Sequence, residues 1–132
     1  HTPGAKDVGV PGFIDLMLKD VYSNEYQKLY LDGLAALIAA AEKEHGDPFI
    51  ELNPEQQAAF VKKVHDEAVT VERSDAKPNK RPFILMTKEL TMLGFFTSKP
   101  GATEVLQYVA VPGAYKGCIP LPEAGNGKTW AS

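Results

Sequence analysis

The chain has 132 residues, with 14 Lys and Arg against 17 Asp and Glu, which gives a formal net charge of −3. This acidic balance argues against a protein that binds nucleic acid through a basic face. A hydrophobic content of 44% and a charged content of 23% are ordinary for a globular protein of one domain. No apolar run approaches the roughly 20 residues of a membrane span. The single cysteine cannot form an internal disulfide or a metal site alone.

Two amphipathic helices are predicted in the first part of the chain. Apolar residues recur at spacings of three and four, which predicts a helix over about 11–21 with Pro11 in its first turn. A second helix follows, with Ser23 as its N-cap and Gly46 as its C-terminal stop. Further apolar residues widen the apolar sector of this helix: Leu31, Ala35, Ala36, Ala39 and Ala40. We therefore expect the second helix to be central in the fold.

A third and a fourth helix are predicted in the middle of the chain. Asn53 can cap a helix whose first residue is Pro54, and Gln56 can reach back as in a capping box. This helix is expected to run to about residue 72, and the polar residues 72–82 are expected to form a loop. The fourth helix, over about 82–97, is apolar on nearly all sides. Such a helix is either fully buried or covered by a partner.

After the fourth helix the sequence predicts a short fifth helix from Ala102 to Val109, and then an extended segment rich in proline and glycine. Alternation of period two, which would indicate a strand, extends nowhere for more than a few residues. The predicted fold is therefore all-α. It is a compact bundle of four to five helices over residues 1–108, with an extended C-terminal tail over residues 109–132.

The fourth helix and the tail carry apolar side chains that one small domain has difficulty burying. A solvated tail has little use for such residues, whereas a tail that lies on a partner subunit buries them. The predicted partner-binding residues are Phe95, Phe96, Pro112, Tyr115, Cys118, Ile119, Leu121 and Trp130. Two interpretations remain open for the cysteine, which are an unremarkable thiol and a disulfide bond to another chain.

Two short segments match catalytic motifs incompletely. Residues 65–67 match the opening of a zinc-protease helix, but the position of its second histidine is Val69. Residues 125–129 match the end of a phosphate-binding loop, but the position of its first glycine is Pro122. There is no nucleophile elbow and no Cys–His pair with local context. These observations favour an all-α module without catalytic, cofactor-binding or metal-binding residues of its own.

Three segments form a more specific combination: Leu90-Thr91, Gly94-Phe95-Phe96-Thr97-Ser98, and Val111-Pro112-Gly113-Ala114-Tyr115-Lys116-Gly117-Cys118. The combination resembles the gluconate 2-dehydrogenase subunit 3 family. The pattern of that family has a Leu-Thr pair, a glycine followed by two aromatic residues and Thr-Ser, and a Pro-Gly-x-Tyr-x-Gly-Cys segment. Four earlier segments also resemble family positions: Phe13-Ile14-Asp15, Met17-Leu18, Gly33-Leu34 and Gln56-Gln57.

The resemblance implies a non-catalytic small subunit of a dehydrogenase complex that oxidises a sugar or polyol, such as a gluconate, glucose, fructose or glucoside-3-dehydrogenase. Its partner would be a large FAD-containing subunit of the glucose-methanol-choline type, and a cytochrome c subunit often takes the electrons. The small subunit would assist the maturation, export and stability of the large one. The resemblance also implies a periplasmic location, although the twin-arginine export signal usual in the family is not within this sequence.

Two other classes of function remain open. One is a free-standing helical module that binds a small ligand, and the other is a small enzyme whose site the sequence does not reveal. The three classes differ in what accompanies the purified chain. A yellow FAD-containing partner supports the accessory subunit, a lone monomer with a bound small molecule supports the module, and sugar oxidation by the isolated chain supports the enzyme.

Overall fold

The computed structural model describes residues 2–74, 81–109, 113, 118–123 and 127–130. Four α-helices account for most of its regular structure: α1 Val10–Asp20, α2 Asn24–His45, α3 Pro54–Arg73 and α4 Phe83–Thr97. Three shorter helical turns are also present: a 3-10 turn Phe49–Glu51, a π-helical turn Gly101–Val105 and a 3-10 turn Leu121–Glu123. The described residues form no β-strand. The all-α prediction is therefore confirmed, within its range of four to five helices.

The helix boundaries follow the capping residues that the sequence predicted. The Ser23 hydroxyl accepts a hydrogen bond from the backbone N–H of Tyr26 at 3.3 Å, in the first turn of α2. At the start of α3, the Asn53 side chain accepts from the Gln56 N–H at 2.9 Å, and the Gln56 side chain accepts from the Asn53 N–H at 3.1 Å. Helix α2 ends at His45 and is capped by Gly46, whose φ of 82° is left-handed. These bonds satisfy backbone groups that a helix end leaves unpaired.

The fifth helix differs from its predicted form. The sequence predicted an α-helix from Ala102 to Val109, but the structure has a π-helical turn that ends at Val105. Leu106 is already extended, and the N–H of Gln107 donates to the Thr129 carbonyl at 2.8 Å. The chain leaves the helix early because its backbone pairs with a segment distant in sequence, a partner that local spacing does not reveal.

The chain divides into two compact units. The middle unit is Met17–Glu89, and the terminal unit combines His1–Leu16 with Leu90–Ser132. Helices α1 and α4 each contribute residues to both units.

The core of the middle unit is built around aromatic side chains. The rings of Tyr30 and Phe83 meet edge to face with centroids 4.8 Å apart, and Thr87 donates a hydrogen bond from its hydroxyl to the Tyr30 hydroxyl at 3.1 Å. A second aromatic contact joins Phe60 to His45, with centroids 5.8 Å apart. The buried apolar residues of this unit are Tyr30, Ala41, Leu52, Phe60, Leu85 and Met86.

The expectation that α2 is central is wrong. Its buried residues are Tyr30 and Ala41, while Leu31 and Ile38 are 58% and 44% exposed. An apolar composition allows a helix to be buried on several sides. The number of sides that are actually buried depends on which other elements pack against the helix. In the middle unit they cover one strip of α2.

The terminal unit has a smaller core, in which Val10 and Leu90 are each 2% exposed. Phe13 packs on the backbone of Gly94, where a β-carbon would lie 2.6 Å from Phe13 Cδ1. A glycine at this position in α4 therefore permits the close approach of the Phe13 ring.

Candidate functional site

The described residues show no group of three or more His, Cys, Asp or Glu side chains that could hold a metal ion. An open depression of about 530 Å³ runs along the first turns of α2, lined by Ser23, Glu25, Tyr26, Lys28, Leu29 and Asp32. Two of its three charged side chains pair with each other, because Lys28 and Asp32 are 2.7 Å apart with side chains 75% and 63% exposed. A depression that faces solvent and is lined by exposed charged side chains offers a small ligand little burial.

His65 lies in a chain of polar contacts on the surface of the middle unit. Its Nε2 is 3.0 Å from the Lys88 ammonium, and its Nδ1 is 3.2 Å from a carboxylate oxygen of Asp66. An ammonium group can only donate, so the geometry assigns Nε2 as the acceptor and the ring proton to Nδ1. The nitrogen that could bind a metal ion therefore contacts a cation. His65 links α3 to α4 in this arrangement.

An exposed apolar surface lies on the second half of α4, in the terminal unit. Met92, Leu93 and Phe96 are 49%, 46% and 37% exposed. Residues three and four positions apart lie on the same side of a helix, so these three side chains form one surface, which we call the α4 patch. The sequence predicted that one small domain has difficulty burying the apolar side chains of the fourth helix, and these three exposures agree with that prediction.

The two aromatic residues that were both predicted to bind a partner differ in their exposure to solvent. Phe96 lies in the α4 patch, whereas Phe95 is half-buried and meets the Phe96 ring edge to face at 5.3 Å. The Phe95 carbonyl accepts a hydrogen bond from the Ser98 hydroxyl at 2.6 Å. Phe96 is thus the member of the pair that is available to a partner, and Phe95 supports it from the side.

The predicted tail residues are exposed where the structure describes them. Cys118 is exposed, and Ile119, Leu121 and Trp130 are 38%, 51% and 42% exposed. Pro112 and Tyr115 lie outside the described residues. Exposed apolar side chains in one short segment are typical of an interaction surface. The partner-binding role of these residues stays a prediction.

The end of the tail pairs with the residues that follow the π-helical turn, which the sequence did not predict. The Thr129 carbonyl accepts from the N–H of Gln107 at 2.8 Å, and Trp130 pairs with Gln107 as an isolated parallel bridge. Lys128 also donates to the carbonyl oxygen of Glu104. A bridge this short leaves no alternation of period two in the sequence, so no local pattern could have revealed it.

A second exposed apolar surface was also missed. Leu31, Leu34 and Ile38 of α2 are 58%, 37% and 44% exposed, and Ala35 between them is exposed as well. We call these four residues the α2 stripe. Their spacing of three and four was the available signal, but the same spacing is typical of a buried helix face.

Several residues that carry the family resemblance have packing roles inside the chain. Gly33 lies against Phe83, and a β-carbon there would be 2.4 Å from Phe83 Cβ. Gln57 donates from its side-chain amide to the carbonyl of Phe49 at 2.9 Å, which fixes the 3-10 turn against α3. At Gly33 and Gln57, the resemblance therefore coincides with packing contacts inside the chain.

None of the helices in the described part of the chain is both long and apolar enough to cross a membrane. Searches of curated proteins and of solved structures each found no match. The family model described as "Gluconate 2-dehydrogenase subunit 3" matches residues 1–113. Since this match covers most of the chain, the protein belongs to the gluconate 2-dehydrogenase subunit 3 family, a small subunit of a dehydrogenase complex.

Proposed function

We propose that this chain is the non-catalytic small subunit of a periplasmic, FAD-dependent sugar or polyol dehydrogenase complex of the glucose-methanol-choline type. The family match over residues 1–113 is the observation that carries the proposal. FAD and the substrate pocket belong to the large subunit in this proposal, and a cytochrome c subunit takes the electrons. The small subunit assists the maturation, export and stability of the large subunit.

The distribution of charge supports a non-catalytic role. Among the residues that the structure describes, four ion pairs with Lys or Arg lie at the surface and join Lys28 to Asp32, Lys62 to Asp66, Lys63 to Glu44 and Arg81 to Glu89. Every one of these eight side chains is at least 40% exposed. Catalytic acids and bases typically have pKa values shifted by burial in a cleft, whereas exposed pairs of this kind keep a surface solvated.

The α4 patch and the exposed tail residues support a partner-binding role. Both belong to the terminal unit, and both combine aromatic with aliphatic side chains. Aromatic residues such as Phe96 and Trp130 often carry much of the binding free energy when a partner buries them. We infer that the large subunit covers the α4 patch and the tail.

Co-purification tests this proposal. The chain is produced in its own host with an affinity tag placed after the export signal that the proposal requires, and the eluted proteins are separated and scanned for flavin absorbance. The expected result is a yellow complex with a larger FAD-containing protein and sugar-dependent dye reduction. The matched control is the chain purified alone, which is expected to be colourless and inactive.

Two other outcomes would contradict the proposal. Stoichiometric flavin in the isolated chain, or dye reduction by it, would indicate an enzyme. A lone monomer that carries a small molecule would indicate a free-standing binding module, for which the open depression on α2 is the candidate pocket.

A further inference from the structure

The α2 stripe lies in the middle unit and is not used by the proposed function. Leu31, Leu34 and Ile38 recur at spacings of three and four, so they form one continuous row on the helix surface. Ala35 is exposed on the same side, where a small side chain lets another helix approach closely.

Charges of opposite sign lie at the two ends of the α2 stripe. Lys28 and Glu42 are equally far from Ala35 along the chain, about two helical turns before it and after it. All three residues therefore lie on the same side of α2. Lys28 forms an exposed ion pair with Asp32, whereas no cation among the described residues pairs with the Glu42 carboxylate.

We propose that the α2 stripe binds the α2 stripe of a second copy of this chain, with the two helices antiparallel and crossing at Ala35. A two-fold axis through Ala35 brings Lys28 of each copy to Glu42 of the other copy, so that two equivalent ion pairs form together. The apolar side chains of the stripe then pack between these pairs.

The charge pattern favours a second copy over a different protein. A surface that binds an unrelated protein does not need charges that complement a second, antiparallel copy of the same surface. Here the reversal exchanges the cation Lys28 with the anion Glu42 and brings the two copies of Ala35 together, because Lys28 and Glu42 are placed symmetrically about Ala35. Such self-complementarity is what a two-fold interface requires.

The size of the stripe limits the strength of this contact. Stable interfaces bury roughly 800 Å² on each partner, and a stripe of about two helical turns buries less than that. We therefore expect a dimer whose population depends on protein concentration. In the dehydrogenase complex the same contact would join two complexes, each with its own small subunit.

Sedimentation velocity of the full chain over a concentration series tests the proposal. We expect a monomer–dimer equilibrium, which Lys28→Glu and Glu42→Lys each weaken about tenfold or more because each places like charges opposite one another. The double variant Lys28→Glu/Glu42→Lys is expected to return to within about threefold of the original dissociation constant. These two positions are about 20 Å apart on one helix, so they cannot pair within one copy.

Matched controls separate the interface from folding. Ile38→Glu is expected to abolish the dimer, whereas Ile50→Glu, at a position 84% exposed outside the stripe, is expected to leave it unchanged. Glu42→Lys leaves the Lys28–Asp32 pair intact, and circular dichroism checks that each variant keeps its helix content. The same series is repeated by mass photometry on the co-purified complex.

Three results would overturn the proposal. One is a chain that stays monomeric at every concentration, both alone and in the complex. Another is a double charge-reversal variant that dimerises no better than the single ones. The third is a set of chemical cross-links that join α2 to the large subunit instead of to a second α2.

Discussion

Phe83 packs on the backbone of Gly33, and a methyl group added to Gly33 would lie 2.4 Å from Phe83 Cβ. Real β-carbons do not approach another atom this closely, and the Cβ of Phe83 cannot move without its backbone. The contact brings the first residue of α4 against the middle of α2. Gly33 therefore fixes how closely two helices of the middle unit approach.

Gly33→Ala is accordingly expected to destabilise the chain. Overpacking of this kind costs about 1–3 kcal/mol, which exceeds the gain in helix propensity of about 1 kcal/mol. The measurement is the free energy of unfolding in urea. Gly12→Ala is the matched control, because no atom lies within 4 Å of its added β-carbon, and it is expected to stabilise α1. Equal stabilisation by both substitutions would show that the Phe83 contact does not limit the fold.

The capping box of α3 gives a second stability prediction. Asn53→Ala removes the acceptor for the Gln56 N–H and is expected to lower the free energy of unfolding by about 1 kcal/mol. Asn53→Asp keeps an accepting oxygen and places a negative charge at the helix N-terminus, so it is expected to preserve stability. Thermal melts followed by circular dichroism measure both changes. A loss as large in Asn53→Asp as in Asn53→Ala would argue against the cap.

Phe96 is the aromatic residue of α4 whose loss is expected to weaken the dehydrogenase complex most. Phe96→Ala should cost about 2 kcal/mol of binding, which is a dissociation constant roughly thirtyfold higher, if the large subunit buries the α4 patch. Calorimetric titration with the large subunit measures it. Val71→Ala, at a residue 46% exposed on α3, is the control. Unchanged affinity in Phe96→Ala would mean that the patch lies outside the interface.

Cys118 is expected to form a disulfide bond with a cysteine of the large subunit. The thiol is exposed, and an accessible lone thiol in an oxidising compartment seldom stays free. Non-reducing electrophoresis of the native complex should show one band at the summed mass, which reductant and Cys118→Ser both abolish. Two separate bands without reductant, with a free or capped thiol found by mass spectrometry, would refute the bond.

The ion pair between Glu44 and Lys63 predicts a dependence on pH. Lys63 donates to both carboxylate oxygens of Glu44, at 3.0 and 2.9 Å, and this hydrogen bond lowers the pKa of Glu44 below its ordinary value. A lowered carboxyl pKa stabilises the fold above the ordinary glutamate pKa, and this contribution is lost as the pH falls through the lowered pKa. The same bond raises the pKa of Lys63, so its contribution is lost as the pH rises through that raised pKa.

NMR titration of the Glu44 carboxyl measures this effect. Lys63→Met is expected to return the pKa of Glu44 toward its ordinary value. Lys62→Met is the control, because Lys62 pairs with Asp66 instead. A Glu44 pKa that stays lowered in Lys63→Met would show that another group causes the shift.

The sequence predicted those parts of the fold that depend on local interactions. Ser23, Asn53 and Gly46 marked helix ends because the bonds of a cap join residues a few positions apart. The early end of the fifth helix could not be predicted in this way. It depends on the bond between Gln107 and Thr129, which connects distant parts of the chain.

The candidate surfaces were predicted only in part, because their exposure depends on contacts between distant parts of the chain. The excess of apolar residues on α4 indicated that a side of this helix would stay uncovered, and Phe96 is on that side. The spacing of Leu31 and Ile38 on α2 could not distinguish a buried face from an exposed one. Only the arrangement of neighbouring elements decides between them, and that arrangement is a property of the whole unit.

The bond between Gln107 and Thr129 closes the chain between these two residues into a loop within the terminal unit. The chain pays the entropy of closing this loop when it folds, before any partner arrives. A loop that is closed at both ends has fewer conformations than a chain end that is attached only at one side. A large subunit that binds Cys118 or Leu121 therefore has fewer conformations to restrict. Less ordering remains to oppose binding, so cutting the backbone between Leu121 and Thr129 should weaken the complex even if every contact residue is retained.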